Sequence, residues 1–75
     1  MNNLSEHYLN LQNIFSDFFS LVSTVWSQDD INYVKDIVDY CEYEDAYLNL
    51  IAISKNYKQS QQEILLIEKI NQLLY

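Results

Sequence analysis

The chain contains neither glycine nor proline in 75 residues. Tight β-hairpins and other turns that need a positive φ normally recruit glycine, asparagine or aspartate, so a β-rich domain without glycine is hard to build. Helices lose nothing by lacking both residues. The absence points to an all-α protein. Arginine is missing too. The only long cationic side chains are four lysines, set against eleven acids, and the net charge is −7 with a pI of about 4.2. Binding phosphates takes clustered Lys and Arg, so nucleic acid is a poor direct partner and an anionic membrane surface is disfavoured. An acidic surface attracts basic proteins instead.

Cysteine occurs once, at Cys41, which excludes an internal disulfide. Small extracellular domains are usually stapled, so a cytoplasmic protein is expected. No apolar run approaches the roughly 18 residues of a membrane span, and the first residues lack the charged start of a signal peptide. Catalytic groupings are equally scarce. His7 is the only histidine and has no evident orienting partner. Cys41 falls on an apolar stripe beside Asp39, Glu42 and Glu44, which are the wrong surroundings for a reactive thiolate, so a packed, inert thiol is expected. The acids lack the glycine and the regular spacing of a calcium loop. No metal site, cofactor site or enzymatic activity is expected.

What the chain does have is hydrophobic mass: 49% of residues are hydrophobic and 15% aromatic, too many for a solvated coil. A chain of this length buries only ~60% of its unfolded surface, so its core is thin. Apolar residues recur at Leu4, Tyr8, Leu11, Phe15, Phe18, Val22 and Val25, steps of three and four that trace one helical stripe. Ile14, Phe19, Leu21 and Trp26 widen it. With Ser5 as a cap, a helix over about 5–26 is predicted. Ser27 and Asp30 form a capping-box pair with Asp in the place of Glu, opening a helix over about 28–41 with Ile31, Val34, Val38 and Cys41 inward. A third helix over about 43–55 is apolar on nearly every side and is expected at the centre. Ser60 and Glu63 have full capping-box spacing and open a fourth over about 61–74, striped by Ile64, Ile67, Ile70 and Leu74. The expectation is one compact domain, a bundle of about four helices. Trp26 and the Phe15–Phe19 run are assigned to its core.

Between Asp29 and Asp45 stand seven of the eleven acids and a single lysine, Lys35, so this stretch alone carries −6. Asp29, Tyr33, Asp36 and Tyr40 lie four, three and four residues apart. At 100° per residue they form a ridge turned about 130° from Val34. Glu42, Tyr43, Glu44 and Asp45 are expected to continue it round the next corner. Tyrosine beside carboxylate offers apolar area, a hydroxyl and little side-chain entropy to lose, which suits a protein-binding surface.

This pattern resembles small helical immunity proteins of bacterial toxin systems, of the MafI-like and contact-dependent growth inhibition type. The resemblance spans residues 27–74. It comprises a helix opened by Asp29 and Asp30, the Ile31–Val34–Val38 stripe, the Glu42–Tyr43 corner, a helix bearing Ala46, Leu48 and Leu50, and the capped helix from Ser60 to Leu74. Where the family pattern has glycine before the corner, this chain has Cys41. The resemblance implies a bacterial cytoplasmic protein that binds and neutralises a cognate toxin, often a basic nuclease domain. Two other readings stand beside it. One is an oligomerising structural module that forms a homodimer through the Phe-rich stripe of the first helix. The other is an acidic nucleic-acid mimic that regulates a nucleic-acid-binding protein.

Overall fold

The computed structural model describes residues 3–75, with side chains from residue 6 onward. Its helices are α1 (Asn3–Leu21), α2 (Gln28–Asp39), α3 (Tyr43–Ser54) and α4 (Gln61–Leu74), and no strand occurs among the described residues. α1 packs chiefly against α4, and α2 against α3. Contacts of α3 with α4 and of α1 with α2 close the ring. The body measures 40 × 24 × 18 Å, about two helix diameters across. No helix among the described residues is long and apolar enough to cross a membrane.

The helical stripes meet in one core. Leu11, Phe15, Phe18 and Val22 come from α1 and the turn after it, Ile31, Val34 and Val38 from α2, Tyr43, Ala46, Tyr47 and Leu50 from α3, and Ile70 from α4. Phe15, Phe18, Val22, Val34, Leu50 and Ile70 have no exposed surface at all. The Phe-rich stripe of α1 is therefore the centre of the monomer. Phe15 and Phe18 leave no surface for the dimer seam of the alternative reading.

α1 already runs from Asn3, so Ser5 stands inside the helix. The Ser5 side chain expected to cap it, like the Leu4 side chain, lies outside the described ones. The helix also stops at Leu21, short of the expected Trp26. Val22, Ser23, Thr24 and Val25 form a turn. There the Ser23 N–H donates to Ser20 O, the Val25 N–H to Val22 O, and the Ser23 hydroxyl also to Ser20 O. Three β-branched residues and a serine that bonds its own backbone favour this tighter path over another α-turn. Val25 is turned outward, half exposed, instead of extending the stripe. Trp26 returns to the core, its ring edge-on to Phe18 at 5.3 Å.

The start of α2 shows what happens when a capping box is one methylene short. Ser27 Oγ accepts from the Asp30 N–H at 3.2 Å, as expected. The reciprocal bond is relayed. The Ser27 N–H donates to the Tyr57 hydroxyl at 3.0 Å, and that hydroxyl donates to Asp30 Oδ2 at 2.6 Å. Tyr57 belongs to the loop between α3 and α4 and stacks on Trp26 at 5.4 Å, with the rings 13° apart. One side chain thus closes the cap of α2 and covers the tryptophan. At α4 the glutamate is long enough: Ser60 Oγ accepts from the Glu63 N–H, and Glu63 Oε2 accepts from the Ser60 N–H.

α3 is not the all-round buried helix expected. Tyr43, Ala46, Tyr47, Leu50 and Ser54 line its inner face, whereas Leu48 is 52% exposed and Ala52 is exposed. A ring of four helices two layers deep leaves every member one outer face, whatever its composition. Tyr47 links α3 to α4 by accepting from Asn71 Nδ2 at 2.7 Å.

Candidate partner-binding surface

Ile31, Val34 and Val38 are drawn into the core, which fixes the roll of α2 about its axis. Asp29, Tyr33, Asp36 and Tyr40 consequently stand on the opposite side of the helix. All four are exposed, Tyr33 by 55% and Tyr40 by 80%. The expected ridge is present, and its tyrosine rings are free of neighbours that would bury them. Its length, from Asp29 to Tyr40, is about 16 Å at the helical rise.

The corner after α2 departs from the expectation. α2 ends at Asp39, and Tyr40 is its cap. The Cys41 N–H donates to Val38 O at 2.8 Å and the Glu42 N–H to Ile37 O at 3.2 Å. These are the paired bonds of a Schellman motif, which requires a left-handed residue after the cap. Cys41 supplies it with φ 60°, the only positive φ at a non-glycine residue among those described. The left-handed position, which glycine fills most easily, is thus filled without glycine. The thiol is exposed rather than packed on the stripe of α2, because the left-handed turn swings it out of the helical register.

Past that corner the eight residues expected to bind a partner divide. Glu42, Glu44 and Asp45 are exposed. Together with His7, Tyr8, Cys41 and Leu74 they line a groove of about 400 Å³ between the start of α3 and the first turns of α1. Tyr43 lines the floor of this groove but presents almost no surface to it. It is 5% exposed and lies between Tyr8 at 5.6 Å and Phe15 at 6.3 Å, near parallel to both. As the first residue of α3 it faces the same way as Ala46, Tyr47 and Leu50, so the helical period puts it in the core. Its hydroxyl is buried and closes no hydrogen bond. Burial, with the Cys41 thiol nearby, holds that hydroxyl above the usual tyrosine range, partly offset by Gln12.

On the other flank of α2 a second groove, about 480 Å³, opens between α1 and α2. Gln12, Ser16, Ser20 and Ser23 form one wall, and Lys35 and Asp39 stand on the other. This polar stripe of α1 and the turn after it was not singled out in the sequence, although its spacing of four, four and three residues is visible there. Among the described residues no set of three His, Cys, Asp or Glu side chains is arranged to hold a metal ion. His7 is half-buried, its ring tilted against Tyr8 at 5.9 Å.

Comparison with protein-family models, with curated proteins and with solved structures returns no match, so the likeness to immunity proteins rests on this chain's residues alone.

Proposed function

We propose that the chain is a non-catalytic binding protein of the immunity type, which neutralises a basic partner, a toxin's nuclease domain, in the bacterial cytoplasm. The observation that carries this reading is the ridge Asp29–Tyr33–Asp36–Tyr40, fully turned away from the core with both tyrosines exposed. Like charges gathered on one helix destabilise the free protein, and a cationic counterpart offsets that cost in a complex. The field draws the partner in over roughly 8 Å at physiological salt. The rings then bury apolar area with little entropy to lose and slow dissociation. Glu42 at the corner extends the field, and Glu44 and Asp45 add to it from α3. Tyr43 takes no part.

The test is affinity capture from the native cell on the tagged full chain, run beside Asp36→Lys and Tyr40→Ala. A basic protein should be retained by the parent chain, elute as salt is raised, and bind each variant about thirtyfold more weakly, the loss typical of one interface hot spot. Nuclease activity of the captured protein should fall when the parent chain is added. A captured protein held equally by the parent chain and both variants overturns the placement on α2.

A further inference from the structure

We propose that the outer face of α3 binds the same face of a second copy of this chain, the two helices running antiparallel about a two-fold axis. The face consists of Glu44, Asp45, Leu48, Ala52 and Lys55, all exposed, with Ile51 half-buried at its edge. At 100° per residue these side chains fall within about 120° of one another, opposite the buried Tyr43, Ala46, Tyr47, Leu50 and Ser54. Leu48 at 52% exposure is the most exposed large apolar side chain on it.

Charge chooses the occupant. The acids stand at the first turn of α3 and the lysine just past its last, with the apolar pair between them. A two-fold interface is self-complementary: if residue i meets residue j, then j meets i. Laid antiparallel, Lys55 of each copy comes between Glu44 and Asp45 of the other, and Leu48 comes onto Ala52 at both crossings. The small Ala52 side chain admits the partner's leucine and lets the helix backbones approach. A parallel pairing would set acid against acid. A partner with an unbroken basic face would meet Lys55 with like charge. Tyr75, 69% exposed and edge-on to Tyr47 at 6.2 Å, flanks the acidic end. Partial desolvation, then the Glu44 carboxylate and Tyr47, hold its hydroxyl above the usual tyrosine range.

The helix is about 18 Å long. A single pair of that length lies at the small end of specific interfaces, below about 1,200 Å² in total, so the dimer is weak and depends on concentration. Asp29, Tyr33, Asp36 and Tyr40 on α2 stay open in it, whereas Glu44 and Asp45 are covered, so the dimer would present two ridges without those two acids.

Sedimentation of the full chain from micromolar to millimolar concentration tests this. The parent chain should pass from monomer to dimer over that range. Leu48→Asp and Lys55→Glu should each weaken the dimer at least about tenfold. The exchange Glu44→Lys with Asp45→Lys and Lys55→Glu should restore it, because the face is then complementary to itself again. Asp36→Lys and Tyr40→Ala should leave it unchanged, so failure of the α2 reading and failure of this one are told apart. A chain monomeric throughout overturns the inference, as does a dimer indifferent to Leu48→Asp and Lys55→Glu. Loss of a captured protein on Leu48→Asp, in a chain that stays monomeric, would assign the face to a different partner.

Discussion

Cys41 holds a backbone conformation in which a Cβ atom crowds the following carbonyl, at a cost of roughly 1–2 kcal/mol. Glycine escapes that crowding but brings more entropy to the unfolded chain, worth about 0.5–1 kcal/mol. Cys41→Gly should therefore raise stability by up to about 1 kcal/mol, seen as a higher urea midpoint at unchanged slope. Cys41→Val, β-branched and at odds with positive φ, should lower it by at least as much. A glycine variant no more stable than the parent would mean that Cys41 does not carry the turn. The resemblance marked this position as one where glycine was expected, so the irregularity was visible in the sequence. Its outcome was not. Four residues of helical stripe argued for a packed thiol, and the Schellman bonds to Ile37 and Val38 overrode them.

At the scale of the elements, the two caps make a controlled comparison. Ser60 and Glu63 close on each other, whereas Ser27 and Asp30 need the Tyr57 hydroxyl between them. Tyr57→Phe keeps the ring on Trp26 and removes only the relay, so it should cost about 1–2 kcal/mol, the worth of a bond to a charged acceptor, while water takes over the exposed Ser27 N–H. Adding Asp30→Glu to that variant supplies the missing methylene and should recover part of the loss, since glutamate can reach the Ser27 N–H unaided. Thermal unfolding of the single and double variants decides it, and a double variant no more stable than Tyr57→Phe would sink the relay. Both cap serines could be read from three-residue spacing because a cap is a local contract between neighbours. Tyr57 could not, since it reaches the site across 27 residues of separation in sequence from Asp30. The exposed half of α3 was missed for a related reason. Its composition is apolar on most sides, but burial depends on where neighbouring helices lie, and none covers the side of α3 that carries Leu48 and Ala52 fully.

For the whole molecule, charge acts against folding and for association. A net −7 on 75 residues repels itself, and most of it sits between Asp29 and Asp45. Salt should therefore raise the melting temperature of the free chain while it weakens capture of the basic partner, both effects growing as the screening length shrinks from roughly 30 Å at 0.01 M to about 10 Å at 0.1 M. Melting and binding measured across one salt series should move in opposite directions, and a parallel fall of both would contradict the assignment of the ridge to a cation. Local rules were enough to determine four helices, their caps at Ser27 and Ser60, the inward stripes from Leu11 to Val22 and from Ile31 to Val38, and the outward ridge, because periodicity and short-range hydrogen bonds act within a few residues. Those rules did not find the end of α1 at Leu21 or the exposure of Tyr8 and Val25. Only the tertiary structure decided that Tyr43 belongs to the core, that Cys41 turns left-handed into solvent, that Tyr57 completes a distant cap, and that α3 keeps a bare face. Each of these depends on where one helix lies against another, and no single stretch of chain contains that relation.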